Sequence, residues 1–278
     1  MTWVGLPVAI AVALLVVPAG VRGLLDAGLV RENFRGERLA FPLGAVLATA
    51  GLVALAPLAF LDDRGNLELL DPGLRRWLPY VIGVAFLGFL DDSLGQGARV
   101  DAPRGWRGHA RALREGRLST GAIKAIGALA LAACVVSGRG LESWRYLADV
   151  ALLILATNAF NLLDLRPGRA EKGLALLGAG LCLGAWTFAP LELLGIFAGP
   201  LLVGAWFTLR ERAMLGDTGS NLAGAVAGVW LLTTLSGTGR LIALALVVAV
   251  TVFGELRSIS RTIETVPPLR WLDSLGRG

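Results

Sequence analysis

The sequence predicts an all-α, polytopic membrane bundle of about nine transmembrane helices, with the N-terminus outside and the C-terminus inside. Three observations predict it. Hydrophobic residues fill 55% of the 278 positions and charged residues only 17%, with a mean hydropathy of +0.67; ordinary soluble domains carry about 25% charged residues. Apolar runs recur from the first residues to about Glu255, separated by short polar breaks. Basic residues collect in alternate breaks, as membrane topology requires. No polar stretch is long enough for a separate catalytic domain, so residues 1–256 read as one membrane domain and 257–278 as a cytoplasmic basic tail.

Each span follows from the need for about 20 largely apolar residues to cross the hydrocarbon core. The runs lie near 3–21, 41–61, 77–94, 118–137, 147–164, 173–189, 191–209, 218–235 and 240–256. The first lacks a positive leading segment and an Ala-x-Ala site, which predicts a retained helix and not a cleaved signal. Pro190 separates the sixth and seventh, because a single helix over 173–209 would carry proline in its middle. Gly224 and Gly228 form a Gly-x-x-x-Gly pair suited to close helix approach, within the bundle or at a homodimer face. Cys134 and Cys182 fall in apolar runs, away from any metal-ligand spacing, and read as small packing residues.

Orientation follows from the loops. With the N-terminus outside, the segments facing inward hold 19 of the 26 basic residues and those facing outward hold 6, Lys124 lying inside a span. The net charge of +5 and pI near 10 therefore express topology; with no basic patch interleaved with aromatics, nucleic acid is not an expected partner. Six arginines of the 95–117 connection fit the same inward bias and stand ready for anionic lipid or phosphate. His109, in that connection, is the only histidine, so zinc is not expected.

Acidic residues beside apolar runs are costly and so mark function. Asp91 and Asp92 end the third run after fourteen apolar-rich residues from Trp77, which predicts a recessed carboxylate pair at the negative end of a helix dipole. A cation is the natural compensation, and magnesium suits oxygen ligands used together with substrate phosphates. Asn158-Ala159-Phe160-Asn161-Leu162-Leu163-Asp164 closes the fifth span, and Gly216-Asp217-Thr218-Gly219-Ser220 opens the eighth. Parity brings Asp91, Asp92, Asp164 and Asp217 to the inner side, where the glycines, hydroxyls and amides of 216–220 suit an anion. Lys124 can snorkel back to the same side. Parity sends the similar pair Asp62-Asp63 outward, where it reads as an ordinary loop. Acids at helix ends, not at mid-span, argue against a transporter.

These motifs carry a resemblance. Phe89-Leu90-Asp91-Asp92, Leu118-Ser119 with Lys124, Asn158-x-x-Asn161-Leu162-x-Asp164 and Met214-x-Gly216-Asp217-Thr218-Gly219-Ser220 resemble, in order and approximate spacing, the polyprenyl-phosphate N-acetylhexosamine-1-phosphate transferase superfamily. The resemblance covers about residues 80–225 and implies magnesium-dependent transfer of a sugar-1-phosphate from a UDP-sugar to a polyprenyl phosphate, with release of UMP. It implies a multi-pass protein of the bacterial cytoplasmic membrane whose active site faces the cytoplasm and serves cell-envelope glycan synthesis. By motif, Asp217 and Asp92 would be magnesium ligands; Asp91, Asp92 and Asp164 would be catalytic; and Lys124, Asn158, Asn161, Thr218 and Ser220 would bind substrate. Where the superfamily continues Gly-Leu-Asp-Gly after Asp164, this chain has Leu165-Arg166-Pro167-Gly168, and it lacks the histidine-rich inner loop. Arg257 and Arg261 of the tail are the expected substitutes at the donor diphosphate. The alternative is a catalytically lapsed homologue that binds lipid phosphate or partner proteins in envelope assembly.

Overall fold

The computed structural model describes residues 2–65, 67–94 and 119–277; the arginine-rich connection with His109 lies outside them. Among the described residues are eleven α-helices. They are α1 Gly5–Asp26, α2 Leu43–Gly65, α3 Leu74–Leu94, α4 Thr120–Val136, α5 Ser143–Leu163, α6 Arg169–Ala185, α7 Ala189–Leu209, α8 Gly216–Thr234, α9 Gly237–Leu256, α10 Ile259–Thr265 and α11 Pro267–Ser274. A two-stranded antiparallel hairpin, β1 Val30–Glu32 with β2 Arg38–Ala40, joins α1 to α2. Six helices, α1, α2, α3, α5, α7 and α9, are long and apolar enough to cross a membrane. The chain is an all-α membrane bundle with one small hairpin, and among the described residues each of the nine apolar runs overlaps a helix, six of them long and apolar enough to span.

The bundle is built around α8. Nearly every residue from Thr218 to Leu232 is buried, so α8 meets other helices in place of lipid and its polar opening is tolerated. Small residues let the backbones touch. An added Cβ at Gly224 would stand 2.5 Å from Thr157 Cα of α5, one at Gly178 of α6 would strike the Trp230 ring at 2.8 Å, and one at Gly44 of α2 would overlap the Gly219 amide. Gly228 likewise faces Leu153 and Ala156 of α5. The Gly224 and Gly228 face is therefore spent on internal packing and is closed to a homodimer partner.

Two sequence expectations change. Asp62 and Asp63 lie in the last turn of α2 and not in a loop; Asp62 Oδ1 accepts from the amides of Leu69 (2.6 Å) and Leu70 (3.2 Å) and so fastens the turn to α3. The third span is not short, since α3 begins at Leu74 and runs 21 residues, about 32 Å at 1.5 Å per residue. Between α1 and α2, Asn33 Oδ1 accepts from the Arg35 and Glu37 amides and closes the hairpin. The strand leaving the hairpin reaches the approach to α8: Met214 N donates to Ala40 O, Leu43 N to Met214 O and Gly44 N to Leu215 O, each at 2.9 Å. Pro190 behaves as expected, at the start of α7 just after Trp186 ends α6 with a left-handed φ of +50°.

Candidate functional site

The parity set meets at one end of the bundle. The opposite end gathers its own contacts, with Arg139 (2.7 Å) and Arg240 (3.1 Å) both on Asp149. At the first end, α8 starts with Gly216 in the left-handed region at φ +74°. A Cβ there would stand 2.8 Å from both Asp92 Oδ2 and the Phe41 ring, so only glycine fits. Leu215, which precedes the helix, has no side-chain acceptor for the free amides of the first turn. Asp92 supplies it from α3. Its Oδ1 accepts from Asp217 N (3.0 Å), and its Oδ2 accepts from Thr218 N (2.8 Å) and Thr218 Oγ1 (2.6 Å).

Asp92, 2% exposed, thus caps another helix. The carboxylate disfavoured by its own helix dipole is compensated by the positive end of α8, the role that sequence reading gave to a cation. Both of its oxygens are engaged in this cap. Arg31 Nη1 adds a distant charge at 4.0 Å, held in place by stacking over the Phe41 ring, 3.8 Å from its centroid. Sequence reading counted Arg31 as topology alone. The one available signal was its place in a short segment before the turn-forming Asn33.

The reactive-looking cluster lies beside this cap. Lys124 Nζ donates to Asp217 Oδ2 at 2.6 Å and lies 3.9 Å from Asp91 Oδ2, one ammonium between two carboxylates. Asp91 also lies against the Asp217 carboxyl and the Thr120 hydroxyl. The Asn161 amide, turned so that each atom meets its complement, donates to Asp217 Oδ1 (3.1 Å) and Ser220 Oγ (3.0 Å) and accepts from Lys124 (3.2 Å). Ser119, the N-cap of α4, accepts from the Ala122 amide (3.2 Å) at the start of the helix that carries Lys124. Four helices, α3, α4, α5 and α8, therefore converge through Asp91, Lys124, Asn161, Asp217 and Ser220. The side chains of Asp91, Lys124 and Asp217 are only partly exposed.

Asp164 ends α5 as its C-cap and feels the charges of Glu171, Asp217 and Asp92. Among the described residues its carboxylate takes part in no hydrogen bond or ion pair. Glu171, which sequence reading missed, is a buried acid in the first turn of α6 whose Oε1 accepts from Thr208 Oγ1 (2.7 Å). Other expected site residues are placed elsewhere. The Asn158 amide donates to Thr251 Oγ1 of α9 at 3.3 Å and braces two helices. Thr218 is committed to Asp92. Arg257 and Arg261 are exposed on the tail, and among the described residues no hydrogen bond or ion pair ties their side chains to the cluster.

The donor set suits a hard cation. Asp91 and Asp217 present adjacent carboxylates with one lysine between them, which leaves a net negative charge. Among the described residues no three acidic or imidazole ligands form a ready cage, and magnesium is commonly held by one or two carboxylates completed by substrate phosphates. Comparison with models of protein families and with curated proteins returned no match.

Proposed function

We propose that the protein transfers a sugar-1-phosphate, of N-acetylhexosamine type, from a UDP-sugar to a polyprenyl phosphate, releasing UMP. All nine long helices span the bacterial cytoplasmic membrane, the N-terminus lies outside, and the cluster faces the cytoplasm. The observation that carries this reading is the meeting of Asp91, Lys124, Asn161 and Asp217, drawn from four separate motifs, at one helix-end cluster. The ordered resemblance of those motifs to the transferase superfamily gives it its chemistry.

In this reading a lipid phosphate oxygen attacks the sugar-bearing phosphorus of the donor. The new P–O bond forms as the pyrophosphate P–O bond breaks, and UMP departs with the bond electrons. Two anions must approach each other, so cationic charge at the centre is the main requirement. Asp217, with Asp92 beside it, would hold magnesium, which supplies charge neutralisation at the phosphates. Lys124, already between the Asp217 and Asp91 carboxylates, adds a mobile positive charge that can move to phosphate oxygen. Asn161 and Ser220 fix the Asp217 carboxylate. Asp91 is the residue available to accept a proton from a protonated lipid phosphate. Asp164 offers a carboxylate that, among the described residues, is unbonded at the edge of the cluster.

One observation favours a second reading, a lapsed homologue that binds lipid phosphate or a partner protein: the 2.6 Å ion pair places Lys124 directly on Asp217. A single assay separates them. Purified protein in detergent, given magnesium, undecaprenyl phosphate and a panel of UDP-sugars, is expected to release UMP with at least one donor. No UMP with any donor, with lipid-phosphate binding retained, overturns the transferase reading in favour of the second.

A further inference from the structure

The C-terminal arm is built inside out for a helix facing water. On α11, Asp273 points into the protein, where Arg169 grips it from Nε (2.7 Å) and Nη2 (2.9 Å) and Arg277 adds a third bond at 2.7 Å. Lys172 locks the backbone by donating to the carbonyls of Leu272 (3.2 Å) and Asp273 (2.6 Å). At about 100° per residue, Trp271 and Leu275 fall on the opposite side. They are 65% and 41% exposed. A water-facing helix would show the carboxylate and bury the tryptophan, and the Arg169 pair prevents α11 from rotating to do so.

We infer that α10 and α11 form an interfacial arm resting on an anionic lipid leaflet, with Trp271 and Leu275 at the acyl boundary and Arg257, Arg261 and Arg270 among the headgroups. Continuity with the lipid-facing surface fixes the occupant. The arm follows directly from α9, an apolar helix of membrane-spanning length whose last turns expose Val252, Phe253 and Leu256. Leu176 of α6, also exposed, lines one shallow groove with Ile263, Leu269 and Leu272 of the arm. Charge complementarity agrees. The three arginines are exposed and, among the described residues, form no ion pair, while Glu264 is taken by Arg166 (3.0 Å) and Asp273 is internal; Glu255 is the acid left outward. Tryptophan at the boundary and basic residues at the headgroups are the ordinary composition of in-plane helices and juxtamembrane segments. This role removes Arg257 and Arg261 from the donor site. It rests on α9 lying in a membrane, not on transferase activity.

The test uses the full chain in nanodiscs, with Cys134→Ser and Cys182→Ala as background. An environment-sensitive dye is attached through Trp271→Cys, Leu275→Cys or, as an aqueous control, Arg38→Cys on the hairpin. Two arm positions guard against one variant failing to fold, and each preparation is required to run as a single species on size exclusion. In nanodiscs containing phosphatidylglycerol, shallow spin-labelled lipid is expected to quench both arm dyes several-fold more than the control, and iodide the reverse. Phosphatidylcholine alone, or Arg257→Gln with Arg261→Gln and Arg270→Gln, is expected to shift the arm dyes toward iodide. Arm dyes as open to iodide as the control would overturn the proposal. Shielding from both quenchers would overturn it too, by placing a second copy or another protein on the arm. Unchanged lipid quenching in phosphatidylcholine would overturn the anionic requirement. UMP release plays no part in the readout, so failure here and failure of the transferase reading are distinguishable.

Discussion

Two carboxylates within one helix-end cluster have different duties. Asp92 satisfies two backbone amides and a hydroxyl of α8. Asp92→Asn sets an amide donor against those donors, so about 1–3 kcal/mol of stability is expected to be lost, read as a lowered thermal midpoint. Among the described residues the Asp217 carboxylate meets side chains, those of Lys124, Asn161 and Asp91. Asp217→Asn is accordingly expected to abolish UMP release while moving the thermal midpoint little. Asp62→Asn, at the opposite end of the bundle, should leave UMP release intact; equal loss in both would overturn the assignment of ends. Gly216→Ala combines a left-handed backbone with a Cβ against Asp92 and Phe41. It is expected to destabilise by at least ~1 kcal/mol.

Among the helices, docking of the arm depends on a buried charge pair. Arg169→Met leaves Asp273 buried without its main partner, a change that costs about 3–5 kcal/mol in comparable buried pairs. Faster hydrogen exchange over 259–274, with α8 amides still protected, is the expected result. The pH dependence has a definite sign. Burial pushes the Asp273 carboxyl up, but hydrogen bonds and charge from Arg169, with the charges of Arg277 and Lys172, more than reverse this and hold it below the ordinary carboxylate range. A depressed carboxylate contributes stability that is present above its unfolded value, about 3.9, and lost as pH falls through its folded value. Protection of the arm should therefore hold across neutral and mildly acidic pH and fail only under stronger acid, read by hydrogen exchange at each pH.

Across the whole molecule, alternate helix connections share an end: Arg31 with Asp92 and Asn161 with Asp217 at one, Arg139 and Arg240 with Asp149 at the other. Under the proposed orientation, a membrane-impermeant thiol reagent applied to intact cells, in the same cysteine-free background, should label Arg145→Cys and spare Arg38→Cys. The reverse pattern would invert the topology. The sequence by itself determined the helices and their shared ends, because lipid demands long apolar runs and each crossing reverses direction. It also determined that Asp91, Lys124, Asn161 and Asp217 lie at one end. It did not reveal that Asp92 is a cap, that Asn158 braces α9, or that Arg31 and Glu171 approach the acids. Those outcomes depend on which helices touch and how each is rotated. Only the tertiary structure decided them, because a carboxylate at a helix end has the same local sequence whether its partner is a metal, a lysine or the amides of another helix.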